Sequence, residues 1–263
     1  SNTSQKAYEE DVLLAGFGAA PTKNEGASVS YDDAGQQWTA RYQHETVALA
    51  FSITEEAEED GQYGSIASRY TKALARSMSS TKEIKAANVL NNATSANGGD
   101  GTTLLSTAHP TQNGNQSNTL ATAADLSETS LESILIQIAD MKDERGLRVA
   151  AQGTQLIIPT AYTFVAERLL ESQLRTGTAD NDINAIKSGG YLPKGYHVMR
   201  RLTDADQFFV QTDVPDGLKY FTRSAMKKGM EGDFETGNIR YKCRERYSFG
   251  FTDWRGIFGS EGA

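Results

Sequence analysis

Several places in this sequence carry residue types that could do chemistry, and each has a plainer role to be weighed against it. Gly98-Gly99-Asp100-Gly101 has the composition of a phosphate-cradling loop, but no Lys followed by Ser or Thr comes after it, and no strand-to-helix setting frames it. Gly and Asp favour turns, so a flexible loop tip is the expectation. Asp180-Asn181-Asp182-Ile183-Asn184 begins like a calcium loop. Its sixth position is Ala185 where the sharp turn wants Gly, and its twelfth is Tyr191 where the cation wants a bidentate Glu. Capped turn residues are expected there. His109, followed by Pro110, has the side chain of a general base, yet no nucleophile is fixed beside it and no Gly-x-Ser-x-Gly elbow exists. An exposed loop histidine is the expectation, and the same reading holds for His44 and His197. One cysteine, Cys243, rules out an internal disulfide and fits a reducing cytoplasm. With three well-separated histidines it also argues against a Cys/His zinc site. No catalytic residue, metal or cofactor is assigned.

The remaining place is a strand. Ile239, Tyr241, Cys243, Tyr247, Phe249 and Phe251 occupy odd positions, and Arg240, Lys242, Arg244 and Arg246 occupy even ones. A period of two puts one face in a core and a row of cations on the other. Cys243 then reads as a small core residue. Glu245 is the exception on the apolar side and needs a partner if buried. The cations read first as a solvated or salt-bridged face, with Glu55, Glu56, Glu58, Glu59 and Asp60 available to pair with them.

The elements that must position these residues belong to an α+β chain of 263 residues with 38% hydrophobic content, enough for a real core. No apolar run approaches the roughly 20 residues of a membrane helix. The net charge of −8 argues against a dedicated nucleic-acid binder. Residues 1–27 read as an arm with a short helix over 5–14, stopped by Gly16, Gly18 and Pro21. Trp38, Ala40 and Tyr42 alternate with polar residues, and Val47, Leu49, Phe51 and Ile53 share a face. Around Gln43-His44-Glu45 these two runs predict a long hairpin. A two-stranded ribbon is marginal alone in water, so it must lie on something else. A helix is predicted from Gly64 to about Asn92, on the order of 40 Å long. The Asn-, Gly-, Ser- and Thr-rich stretch 94–124 reads as a surface excursion. A capping box of Asp125 and Glu128 starts the next helix, 155–158 is a buried strand, and Pro159 leads into a helix. Short strands follow at 196–201, 208–211 and 218–221.

This order, together with the strings Trp38-Thr39-Ala40-Arg41-Tyr42, Leu105 to Pro110, Leu156-Ile157-Ile158-Pro159 with Ala166 to Leu170, Arg175 to Asp182, and Gly232 to Tyr241 continuing to Arg255-Gly256-Ile257, resembles the major capsid proteins of tailed bacteriophages. Encapsulin shells share that fold and are the alternative. The collinear order of the strings carries the likeness, since none is a chemical motif.

The resemblance implies an N-terminal arm at 1–27, an extended β-hairpin loop at 28–60, and a peripheral domain at 61–124 and 220–263 carrying a long spine helix. It implies an axial domain at 125–219. It also implies a structural, non-enzymatic protein of the virion, assembled in the host cytoplasm into hexamers and pentamers of an icosahedral head. The head would enclose double-stranded DNA without reading its sequence. The implied partners are copies of itself, then scaffolding, portal and decoration proteins, and no membrane. Trp38, Arg41, Tyr42, Arg240, Lys242, Arg244 and Arg246 become the candidate inter-subunit contacts, the cationic row facing neighbours or packaged DNA. Some relatives link subunits through a lysine on the extended loop. No lysine lies between Lys23 and Lys72, so a shell without such links is expected. A hydrolase or nucleotide-binding enzyme would need a convergent pocket that nothing in the spacing suggests.

Overall fold

The computed structural model describes residues 2–61, 64–175 and 182–263. In chain order it contains β1 (Asn2–Thr3), β2 (Tyr8–Leu14), β3 (Gln36–Gln43), β4 (Glu45–Ile53), α1 (Glu55–Glu59), α2 (Gly64–Asn91), β5 (His109–Thr111), β6 (Gly114–Gln116) and α3 (Glu128–Asp140). There follow β7 (Gly153–Ile158), α4 (Thr163–Glu171), α5 (Ala185–Gly189), β8 (Tyr196–Val198), β9 (Phe208–Thr212), β10 (Leu218–Gly232), β11 (Ile239–Phe251) and β12 (Ile257–Ser260). The class is α+β, as expected. The chain divides into two units, one of Ser1–Glu9, Arg41–Ala86 and Lys219–Gly250, the other of Glu10–Ala40, Ala87–Leu218 and Phe251–Ala263.

The first unit is a sheet in the order β1-β10-β11-β4 with most of α2. β11 runs antiparallel to β4 from Ile239 opposite Ile53 to Tyr247 opposite Glu45. The period of two on β11 works as expected: Cys243, Glu245 and Tyr247 are buried, and Arg240, Lys242 and Arg244 are exposed. Leu74 and Met78, one turn apart on α2, close over Cys243 with Val47, Phe51 and Met226 around them. Glu245 has the partner it requires, an ion pair with Lys82 one turn beyond Met78.

The ribbon differs from the sequence reading. β3 and β4 belong to different sheets, so the 38–42 and 46–53 runs do not form a hairpin with each other. β3 pairs instead with β2, and the helix expected over 5–14 is this strand. Ala15 N–H donates to Gly35 O (2.8 Å) and His44 N–H to Ala7 O (3.4 Å), bonds that bracket the two strands and fix them antiparallel. An extended two-stranded ribbon therefore exists, with strands at 8–14 and 36–43 joined by the loop 15–35. Lys23 lies in that loop, so the reason given for a shell without lysine links does not hold.

His44 is the corner at which the chain leaves β3 for β4, and it is buried, not exposed. Its Nε2 meets Ser4 Oγ at 2.9 Å and its Nδ1 meets Ser248 Oγ at 3.0 Å, so the ring fixes the amino-terminal segment beside β11. Ser4 N–H in turn donates to Thr222 O (3.0 Å), continuing the parallel pairing of β1 with β10. Burial lowers the His44 pKa below 6.5; Glu9 opposes this, and Arg246 and Arg223 reinforce it. A histidine with a depressed folded pKa takes up its proton more readily when unfolded. The stability it contributes at neutral pH is therefore lost as pH falls from 6.5 toward the folded value. Thermal unfolding should show a lower Tm near pH 5.5 than near pH 7.5, by roughly a few degrees. His44→Gln should flatten that dependence; an unchanged slope would refute it.

The second unit is a sheet in the order β12-β9-β7-β8, in which only β7 and β8 are parallel. α3 and α4 supply Leu131, Ile134, Ile138 and Ala166 to a core with Leu156, Phe208 and Trp254. α3 starts later than expected. Ser127 is its N-cap, and Ser127 and Ser130 form the reciprocal capping pair that Asp125 and Glu128 were read to make. Gly217 allows a close crossing of two backbones, since a Cβ there would lie 2.8 Å from Gly256 Cα.

The 94–124 stretch is not a loose excursion. Asn118 Nδ2 donates to Leu104 O (2.6 Å) and Ile257 O (2.9 Å), and its Oδ1 accepts from Ser106 N–H (2.9 Å). Gly98 and Gly99 are packed, not a loop tip: a Cβ on Gly99 would sit 2.8 Å from Trp38 Cδ1 and 3.1 Å from Ala40 N. His109, expected on the surface, is fully buried and stacked on Trp254 at 4.3 Å.

Candidate assembly interface

The ribbon leaves apolar side chains uncovered. Along β2 the exposure alternates, with Tyr8, Val12 and Leu14 on the open face. Leu14 is 65% exposed, Phe17 60% and Tyr31 95%, and Val29 is also exposed. Three polar groups of the same segment, by contrast, are anchored to the chain. Asp11 accepts from Thr252 Oγ1 (3.1 Å), and Trp38 Nε1 donates to Thr252 O (3.2 Å). Asp32 accepts from Gly18 N–H (2.7 Å) and pairs with Arg145 (3.4 Å). The Gly18 bond, with Arg145 beside it, holds the Asp32 carboxyl below the usual range. Three of its polar groups are thus fixed to the chain while its large apolar groups stay in water.

The residues singled out from the sequence fall in different settings. Tyr42 is buried, its ring 4.9 Å from that of Phe221, and Trp38 is half-buried against the core of the second unit. Both hold the chain that carries the ribbon. Arg41 is exposed and lies over the Tyr8 ring at 3.9 Å. Arg240 pairs with Asp233 and Lys242 with Glu231 (4.0 Å), both acids from the turn side of β10–β11. Of the expected partners, Glu55, Glu56, Glu59 and Asp60 make no ion pair with them, and the side chain of Glu58 lies outside what the structure describes. Arg244 is exposed and Arg246 half-buried. The 175–182 string and the start of the calcium-like run fall largely on residues 176–181, outside the described residues. Asn184 is the N-cap of α5, its side chain accepting from Ile186 N–H (3.1 Å). Exposed apolar groups that the sequence reading did not flag as contacts occur on α4 and in the segments flanking α4 and α5: Phe164, Leu174, Ile183 and Tyr191.

One cluster has the composition of a catalytic triad. His109 Nδ1 lies 2.6 Å from Asp100 Oδ2 and 2.9 Å from Thr102 Oγ1, and His109 Nε2 lies 3.1 Å from Asn118 Oδ1. A working triad places acid and nucleophile on opposite ring nitrogens; here both crowd Nδ1, and no face of the ring is open. Burial works to raise the Asp100 pKa, but the bonds from His109 and Thr102 outweigh it and hold the carboxyl low. The cluster is a polar lock inside the second unit. Beside it, Arg255 Nη2 pairs with Glu144 Oε1 at 2.7 Å, Nη1 with Asp253 Oδ1 at 3.3 Å, and Nε donates to Lys142 O at 3.0 Å. Among the described residues no group of three or more His, Cys, Asp or Glu is placed to hold a metal ion, and no helix is long and apolar enough to cross a membrane.

A family model described as phage capsid protein matches residues 36–259. No curated protein matches the sequence. Among solved structures, the bacteriophage JBD30 capsid aligns over 98% of this chain with a TM-score of 0.53 and 11% identity. This chain spans 62% of that longer one. The capsid of Myoviridae phage XM1 aligns over 100% of this chain and 89% of its own, with a TM-score of 0.58 and 8% identity. The virus-like particle from Pyrococcus furiosus aligns over 98% and 89%, with a TM-score of 0.51 and 11% identity. At such identities the likeness is one of fold.

Proposed function

The chain belongs to the phage capsid protein family, and from that membership we propose that it is the major subunit of an icosahedral head, assembling as hexamers and pentamers around double-stranded DNA. It is a structural protein of the capsid shell. The observation that carries the finer reading is the row of uncovered apolar side chains on the ribbon, Tyr8, Val12, Leu14, Phe17, Val29 and Tyr31. Six such groups gain nothing from folding while they stay in water, and a neighbouring copy can remove them from it together.

In this reading β2, β3 and the loop between them form the extended arm that lies over the next subunit. The unit with β10, β11 and α2 is the peripheral domain, and the sheet of β7, β8 and β9 with α3 and α4 lies in the axial one. Arg41, Arg240, Lys242, Arg244 and Arg246 take up contacts with neighbours, while Trp38 and Tyr42 set the position of the ribbon from inside. The work is non-enzymatic, as the family implies, and the triad-like cluster at His109 is closed to substrate. Assembly takes place in the host cytoplasm, with scaffolding, portal and decoration proteins as the further partners.

Electron microscopy of the purified chain, expressed alone and with a co-expressed scaffold, tests this. Closed shells in either preparation are expected, and monomers or amorphous aggregate in both would overturn it. Nucleic acid in particles assembled in an infected cell distinguishes a head from an encapsulin-like compartment, which would hold protein cargo.

A further inference from the structure

The charge of this acidic chain is unevenly divided. The unit with β10, β11 and α2 holds 15 Lys and Arg against 12 Asp and Glu, a net of +3. The other unit holds 11 against 22, a net of −11, and the two together make the −8 of the chain. Within the positive unit, the basic residues of α2 fall into two sets. Lys82 and Lys85 are neutralised by Glu245 and Glu45. Arg69, Lys72 and Arg76 are exposed, share one face of the helix at a spacing of three and four residues, and have no acidic partner among the described residues. They line an open groove with Ser77, Ser80, Thr81, Ala73 and Ile84, and among the described residues no carboxylate lines it.

We propose that this stripe of α2 is a seat for the phosphodiester backbone of double-stranded DNA, bound without regard to sequence. The inference deepens the reading of the chain as a shell subunit enclosing DNA, and rests on it. Three reasons favour a nucleic acid over an acidic protein segment. The cations lie in a line: from Arg69 to Arg76 the helix rises about 10 Å, over which one DNA strand presents about three phosphates at roughly 3.4 Å of axis each. Two of the three are arginines, whose planar donors fit phosphate oxygens in pairs. Six of the eight residues that line the groove are polar, although the Thr81 hydroxyl is itself engaged with Ser77 O (3.0 Å), and the two apolar ones, Ala73 and Ile84, give little anchorage to the side chains by which a protein segment would be held. Its location on the positive unit adds to the local attraction, while the −11 of the other unit keeps overall affinity low. A shell lining that holds DNA weakly and everywhere suits a container that must later release it.

The test uses the full chain and a fluorescent random-sequence duplex, with binding read by anisotropy across salt concentrations. Three phosphate contacts predict a slope of about −2.7 in log affinity against log salt, so binding weakens roughly 40-fold between about 50 and 200 mM. The triple variant Arg69→Gln, Lys72→Gln, Arg76→Gln is expected to lose that binding. A control with the same charge change on the other unit, Arg148→Gln, Arg168→Gln, Lys194→Gln, is expected to keep it. The proposal is overturned if the triple variant binds as the parent does, if the control loses as much, or if poly-glutamate displaces the duplex at equal charge, which would mark an acidic protein segment as the occupant. Shell formation by both variants, followed by microscopy, keeps this outcome separate from the assembly reading: loss of all particles for the parent chain would defeat the latter, whereas normal particles with unchanged duplex binding in the triple variant would defeat only the DNA seat.

Discussion

Replacing Leu14 and Phe17 together by Asp is expected to abolish closed particles while leaving a folded, monomeric chain. Both side chains are in water in the single subunit, 65% and 60% exposed, and neither belongs to a buried cluster. The folded subunit therefore loses almost nothing by the change. An interface that covers them loses the burial of two large apolar groups, about 1.5–3 kcal/mol each, and must also desolvate two carboxylates. Per contact this amounts to a fall in association of at least about 100-fold, and a shell repeats the contact at every subunit. Size-exclusion chromatography should show the variant at monomer size with unfolding unchanged to within about 2 °C. Particles of normal yield from the double Asp variant would show that the ribbon does not carry the assembly contact.

The second large effect lies inside the subunit. Arg255→Ala removes the guanidinium that is ion-paired with both Glu144 and Asp253, with Arg255 and Glu144 side chains each 4% exposed. Burial pushes the carboxyls of Glu144 and Asp253 up, and Arg255 pulls both back toward the charged state. Without it two buried carboxylates face each other unpaired, and the packing of the guanidinium over Trp254 at 4.4 Å is lost as well. Breaking a buried pair from one side costs about 3–5 kcal/mol, which at a few degrees per kcal/mol lowers Tm by roughly 10 °C. Arg255→Met with Glu144→Leu should recover part of the loss, because one of the two stranded carboxylates is gone and the other, Asp253, still accepts from the backbone N–H of residue 255. A shift below about 2 °C for Arg255→Ala would contradict the assignment of this cluster as a structural lock.

The sequence made some of this legible and hid the rest for physical reasons. β11 was readable because its period of two is unbroken over many residues, and the need of Glu245 for a partner followed from that alone. α2, β7 and α4 were readable from long apolar periods and from Pro159. β2 was misread as a helix because Glu9-Glu10-Asp11 hides the alternation, and its apolar members face solvent in the single subunit, where no core enforces a pattern. The turn-like Gln43-His44-Glu45 suggested a hairpin. In fact one buried histidine, held by Ser4 and Ser248, turns the chain from one sheet to another, and both partners are distant in sequence. The same distance hid the His109 cluster: polar composition from 94 to 124 resembles a loop until Trp254 and Asn118 are brought to it. The apolar exposure from which the assembly surface is proposed is a property of the fold, so composition could suggest only that an arm and a ribbon needed shelter.

Hydroxyl-radical footprinting of Phe17 and Tyr31 in the monomer and in assembled particles tests that shelter most directly. Fast oxidation of both rings in the monomer and severalfold protection in particles is the predicted result. Equal rates in the two states, with particles intact, would mean that sister subunits leave these rings bare and that the shell is held by other surfaces.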